Sequence, residues 1–364
     1  MLSKRIKNIK ESGIRKIFNK AQGLNAKDIV NLSIGQPHFQ TPLGLKNAAI
    51  KAINSDHNAY TPTSGIEELR ELISEKLRLK NNIPADKSEI IVTSGASGSL
   101  YLAFSAIFDK GDEIIIPEPY FVSYKQIADF HGLKTTYLKT GENFRISPKD
   151  LERCITKKTK ALILNSPNNP TGVTYSSKEI IAITKIAKKH NIFIISDEIY
   201  EIFDYDKKFC SVASYYDKTI TINGFSKSHS ITGWRVGYVH APKEIIEAMS
   251  NLQQYTFVCS PAPMQKALLD GFNISLEKQV AYYKENRDYL WTELKGCLQF
   301  PKPEGAFYAF IKSPKPDFIN SLITKGLLVV PGEVFSSDNE HFRISFAVDR
   351  NTLKKGIKII KDSL

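Results

Sequence analysis

With 364 residues, of which 42% are hydrophobic and 24% charged, the chain is long enough for a large buried core and falls outside the disordered, collagen-like and disulfide-stapled classes. The net charge of +12 would suit a polyanion, but its 40 lysines are scattered beside only 10 arginines, which reads as a solvated surface and argues against nucleic-acid or membrane-surface binding. Cysteines at 154, 210, 259 and 297 form no CxxC pair for zinc or thiol exchange, and no apolar stretch nears 18 residues. Together with an opening that lacks a signal-type apolar core, this gives the expectation of a soluble, cytoplasmic protein in a reducing compartment.

The first forty residues read as a basic helix followed by the extended IVNLSIGQP. From there short β-branched runs alternate with amphipathic stretches: EIIVT near 90, DEIIIP near 113, KALILN near 161, NIFIIS near 193, KTITIN near 219 and RVGYVH near 236. That alternation predicts an α/β core with a mostly parallel sheet and helical crossovers. After about residue 270 the pattern changes to a long helix through Trp291, the strand candidates AFYAFI, LLVV and FRISFA, and a last helix from about Asn351, which predicts a smaller α+β domain. The expected division is 1–40 joining the small domain, 41–270 as the large domain and 271–364 as the small C-terminal one. Functional residues of such an open sheet belong beyond the carboxyl ends of its strands.

Four segments fall at such ends. Ser94–Ser99, all small residues, sits between a strand and a helix, where backbone amides approach an anion; a tight turn with a serine cap accounts for it equally. In NSPNNPTG, Asn165–Gly172, the prolines and glycine fix a loop and Asn169 offers an amide donor, although a purely structural turn also fits. In SDEIY, Asp197 at a buried strand end needs a cation to offset its desolvation, and Tyr200 adds a phenol. In GFSKSHSITGWRVGY, Lys227 follows a strand among small polar residues; held in a pocket, such an amine loses proton affinity and forms a Schiff base with a carbonyl. The neighbouring serines with Arg235 suit a phosphate, and a surface lysine among serines is the plain alternative.

The ordered set NSPNNPTG, SDEIY, SKSHSITGWRVGY and FRIS resembles the class I aminotransferases, pyridoxal-phosphate enzymes of fold type I, over nearly the whole chain from GIRKIF and LSIGQPHFQTP to FRISFA. The resemblance is closest to bacterial and archaeal aspartate and aromatic aminotransferases. It implies a seven-stranded, mostly parallel sheet in the large domain and pyridoxal 5'-phosphate as cofactor. By matching positions, Lys227 holds the cofactor and moves the substrate α proton, Asp197 faces the pyridine nitrogen, and Asn169 and Tyr200 bond its phenolic oxygen. Phe121 of PEPYFVSY stacks on the ring, with Tyr120 as the competitor. Gly95, Ala96, Ser97, Ser226 and Arg235 form the phosphate cup, and Tyr60 reaches across from a second subunit, which implies a homodimer with shared sites. Arg343 grips the substrate α-carboxylate, aided by Gly35. The chain departs from some members at Gly224, where a serine often adds a phosphate contact. His229 has no matching catalytic role. The distal substrate pocket is expected around Gly13, Ile14, His38 and the neighbouring subunit.

The activity implied is transfer of an amino group from an L-amino acid, aspartate or aromatic, to a 2-oxo acid such as 2-oxoglutarate. A β-lyase of the cysteine-conjugate type is the alternative on the same fold. A DNA-binding regulator is disfavoured, because the catalytic positions are intact and no helix-turn-helix segment precedes residue 30.

Overall fold

The computed structural model describes residues 2–7, 9–11, 13, 29–337 and 340–364. Its centre is a seven-stranded sheet built from β2 (Ile90–Thr93), β3 (Glu113–Glu118), β4 (Lys134–Lys139), β5 (Thr159–Asn165), β6 (Phe193–Asp197), β7 (Thr219–Gly224) and β8 (Gly237–His240). They lie in the order β2-β8-β7-β6-β5-β3-β4, and only β8 runs antiparallel to its neighbours. The other six carboxyl ends and the start of β8 therefore share one edge of the sheet.

Alternation along the strands explains why helices cover both faces. Ile114, Ile116, Ile163 and Ile195 join one core with helices Gly95–Ile107, Ser123–His131 and Lys243–Gln254. Their neighbours Ile115, Leu162, Leu164 and Ile194 turn to the opposite core, against helices Pro148–Cys154 and Ser177–Lys189. On that side, at the far end of the sheet, Ile90, Val92 and Tyr238 pack on helices Leu43–Asn54, Glu67–Asn81 and Ala262–Gly271. The six strands read from β-branched runs are present. The seventh, β4, is the polar edge strand KTTYLK, half-exposed along its length, so it carries no apolar run to announce it.

The remaining strands are β1 (Val30–Asn31), β9 (Tyr308–Lys312), β10 (Leu327–Leu328), β11 (Val330–Pro331) and β12 (His341–Ser345). β9, β12 and β11 form an antiparallel sheet, while β1 pairs in parallel with β10 and ties the N-terminal segment to the C-terminal part of the chain. The LLVV run is thus two strands serving two sheets: Leu327 and Leu328 face Val30 and Asn31, whereas Val330 faces Arg343. The final helix, Arg350–Lys361, is capped by Asp349, whose carboxylate accepts the Asn351 and Thr352 N–H groups at 3.0 Å, and it buries Leu353, Ile357 and Ile360 on one face. Its core continues to Tyr200 and Phe203 of the large sheet's edge, so the two sheets meet beside the strand ends. No helix among the described residues is long and apolar enough to cross a membrane.

Candidate active site

A cleft of about 250 Å³ opens where these strand ends meet the three-stranded sheet. Each wall follows from a local feature of the chain. After β2 the chain turns at Gly95, whose φ of +67° favours glycine, straight into a helix; Gly98 is the first amide to bond back, to Ser94 O at 3.3 Å, which leaves the amides ahead of it facing outward with the favourable end of the helix dipole. Ala96 and Ser97 line the cleft. Gly95 lies just behind, and an added Cβ there would fall 2.5 Å from Arg235 Nη2. Arg235 itself has left-handed backbone (φ 56°) and is steered by a bond from Nη1 to Thr232 O of 2.9 Å.

Glycines set the depth of this wall. A Cβ on Gly237 would lie 2.7 Å from the Gly95 carbonyl carbon and 2.8 Å from Ala96 N, so the turn rests directly on β8. At Gly224 a Cβ would lie 2.9 Å from Gly237 Cα, so a side chain there would press on the β8 backbone.

Asp197 ends β6 and is buried; its Oδ2 accepts from Tyr124 Oη at 2.6 Å and its Oδ1 from Ile199 N at 3.3 Å. Burial raises its proton affinity, opposed by the Tyr124 bond, the Ile199 amide and the positive charge of Lys227. Lys227 projects from the turn after β7 and donates to Gly35 O at 2.8 Å. Burial, then the charges of Arg343 and Arg235, push its amine down to about 8, with Asp197 pulling the other way. Asn169 is held by its amide bonding Asn165 Oδ1 at 2.8 Å, and its own Oδ1 accepts from Arg343 Nη1 at 2.9 Å.

Arg343, from β12, is buried and reaches in between the rings of Tyr308 and Phe335, 4.5 and 4.9 Å from its guanidinium carbon. Its Nη2 donates to Ser33 O at 2.6 Å. These two anchors leave one N–H on each terminal nitrogen, and Nε is buried without a partner. Tyr200 is buried with its hydroxyl 2.8 Å from that of Tyr308, and burial holds its proton affinity far above that of an ordinary phenol.

Of the residues read from sequence, Gly35, Ala96, Ser97, Phe121, Asn169 and Asp197 line the cleft, as do Tyr200, Ser226, Lys227, Arg235 and Arg343. Phe121 faces it, while Tyr120 turns away to stack on Tyr137 at 5.5 Å. Tyr60 stays outside and is 84% exposed. His229 is buried against Phe225, bonded to Ser228 Oγ at 2.8 Å and pushed down to about 4 by burial, away from the cleft. His38 bonds Tyr283 Oη and does not line the cleft, Gly13 lies beside Val334, and Ile14 is outside the described residues.

Five lining residues were missed: Leu100, Tyr124, Asn165, Ile199 and Tyr308. Tyr124 lies in the first turn of the helix that follows Phe121 and meets that ring edge-on at 5.6 Å, a contact across the turn that spacing alone does not announce. Tyr308 had no signal beyond the alternation of AFYAFI, which pairs residues on a face without saying which face looks inward.

The donor set fits pyridoxal phosphate: an amine of lowered proton affinity and a buried carboxylate in one cleft, phenol and amide donors beside them, an aromatic wall, and a turn of free amides with an arginine at one end.

Comparison with known proteins agrees. A family model described as aminotransferase class I and II matches residues 27–360. A probable aspartate aminotransferase of Methanocaldococcus jannaschii is 40% identical across 100% of this chain and 99% of its own length. A probable N-acetyl-LL-diaminopimelate aminotransferase of Bacillus subtilis is 39% identical across 98% of this chain and 94% of its own. The structure of aspartate aminotransferase from Thermus thermophilus with maleate superposes with a TM-score of 0.96 at 34% identity, covering 100% of both chains.

Proposed function

The chain belongs to the class I and II aminotransferase family, and we propose that it moves an amino group from an L-amino acid, aspartate foremost and aromatic donors next, to a 2-oxo acid such as 2-oxoglutarate. The observation that carries this reading is the convergence of Lys227, buried Asp197 and buried Arg343 on one 250 Å³ cleft. Pyridoxal phosphate, when bound, supplies an aldehyde that captures amines and a ring that takes up the electron pair left as a bond to the α carbon breaks.

The residues divide the remaining work. Asp197, whose rise in proton affinity on burial is opposed by the Tyr124 hydrogen bond, would face the ring nitrogen and favour its protonated form. Tyr200 and the Asn169 side-chain amide would donate to the phenolic oxygen, and Phe121 would supply the aromatic wall beside the ring. The amides at Gly95, Ala96 and Ser97, with Ser226 and Arg235, hold the phosphate. The two free N–H groups of Arg343 grip the substrate α-carboxylate in a two-point contact. Lys227 Nζ, its proton affinity lowered to about 8, would take the proton from the substrate α carbon and return it on the other side of the amino transfer.

A homodimer completes the proposal, with Tyr60 of one chain serving the phosphate site of the other. Tyr60 and Tyr255 are each 84% exposed and Phe257 40%, and Gln253 Nε2 bonds Thr63 O at 2.6 Å, so these aromatics lie on adjoining segments as an uncovered apolar surface. The division into a large domain of 41–270 and a small one of 271–364 joined by 1–40 suits a cleft between two sheets, and four free cysteines suit the cytoplasm.

An absorbance spectrum of the purified protein with added pyridoxal phosphate tests the reading. Aspartate alone should bleach the near-visible band and 2-oxoglutarate should restore it. Absence of any band, or release of ammonia with no need for an oxo acid, contradicts it.

A further inference from the structure

One side chain touches both halves of the cleft without belonging to any of the motifs. Tyr308, on β9, is fully buried, with its hydroxyl 2.8 Å from Tyr200 Oη and its ring face 4.5 Å from the Arg343 guanidinium carbon. Its hydroxyl also fills the space beside Gly35, where a Cβ would lie 2.6 Å away, and the Gly35 carbonyl is the acceptor of Lys227 Nζ. Glycine at 35 is therefore required for this phenol to reach Tyr200.

The geometry points to Tyr308 as a positioning residue that donates a hydrogen bond to Tyr200 and seats Arg343, so that one side chain holds the group facing the cofactor's phenolic oxygen and the group facing the substrate carboxylate. This inference rests on the amino-transfer reading. Tyr200 has a single proton. Once it is given to the cofactor, the Tyr200 oxygen is left as an acceptor, and Tyr308 is the donor in place to satisfy it. A hydroxyl that accepts one hydrogen bond donates the next more strongly, so Tyr308 polarises Tyr200 toward the cofactor. Burial raises the Tyr308 phenol's proton affinity, against the opposing effects of Arg343 and Tyr200, so it keeps the proton it donates.

The two contacts separate cleanly by substitution. Tyr308→Phe keeps the ring under Arg343 and removes only the hydroxyl; Tyr308→Leu removes both. Donation to the phenolic oxygen favours the deprotonated form of the bound cofactor, so weaker donation raises the pH midpoint of the near-visible absorbance. In the holoenzyme, Tyr308→Phe should raise that midpoint by about 0.3 to 1 unit, the part of a hydrogen bond passed on through one hydroxyl, and by less than Tyr200→Phe does. 3-Fluorotyrosine placed at position 308, a stronger donor of nearly the same shape, should lower it. KM for the amino acid should stay near its original value in Tyr308→Phe and rise roughly two- to thirtyfold in Tyr308→Leu, as the cation loses its ring.

If Tyr308→Phe does not fold, the fluorinated protein decides alone. A midpoint unmoved by these changes at 308 while Tyr200→Phe shifts it overturns this inference and leaves the amino-transfer reading standing. No near-visible band in the unsubstituted protein overturns both.

Discussion

Replacing Arg343 is the most direct test of how this cleft recognises its substrate. The guanidinium is buried, anchored by Asn169 Oδ1 at 2.9 Å and Ser33 O at 2.6 Å, and faces the cleft with its remaining donors. Removing one partner of a buried charge pair costs about 2 to 5 kcal/mol. At about 1.36 kcal/mol per factor of ten, Arg343→Ala should lower kcat/KM for aspartate by roughly 30- to 5000-fold, mostly through KM. Arg343→Lys should fall between, because a point charge lacks the fork that meets a carboxylate at two points. A second readout guards against simple damage. Arg343 is one of two cations that lower the proton affinity of Lys227, so in Arg343→Ala the amine should bind its proton more tightly and capture pyridoxal phosphate with a higher pH midpoint. Steady-state kinetics with 2-oxoglutarate, together with stopped-flow cofactor capture across pH, measures both. A fall in kcat/KM of less than about threefold in a variant that retains the cofactor would refute the assignment.

In the unsubstituted protein stripped of cofactor, the rate of pyridoxal phosphate capture should rise with pH and level off above about 8, because only the unprotonated Lys227 amine attacks; Lys227→Ala should attach none, and a rate independent of pH would contradict this. Tyr124→Phe removes a hydrogen bond to a buried carboxylate worth about 1.5 to 3 kcal/mol, so pyridoxal phosphate should bind roughly 10- to 100-fold more weakly. The loss should be greater below neutral pH, since Asp197 is already raised by burial and loses the partner that opposes it; equal binding at acid and alkaline pH by equilibrium dialysis would count against the role. Gly237→Ala places a Cβ against the backbone of Gly95 and Ala96, which should cost about 1 to 3 kcal/mol and weaken phosphate binding; an unchanged melting temperature would show that the turn does not rest on β8 as described.

The alternation of β-branched runs with amphipathic stretches was enough to specify the α/β core, because period-two burial on both faces of a parallel sheet leaves continuous apolar runs in the sequence. The loops after those runs were legible for the same reason: Asp197, Lys227 and Arg235 are polar or charged where a buried sheet edge tolerates such groups only with partners. The kind of chemistry came from the ordered motifs only through their resemblance to class I aminotransferases, since each motif read singly also fits a plain turn or a surface lysine. Elsewhere local pattern was silent. The polar edge strand β4 and the division of LLVV between two sheets depend on which segments lie alongside, and neither is encoded within ten residues of the strand. Tyr308 reads as one more aromatic in a buried strand until β9 is laid beside β12 and against Tyr200. The proton affinity of Lys227 is likewise a tertiary quantity. It is set by burial and by Arg343 and Arg235: Arg235 shares the large sheet's edge with Lys227, whereas only the packing of the three-stranded sheet against that edge brings Arg343 close enough to act in a medium of low dielectric.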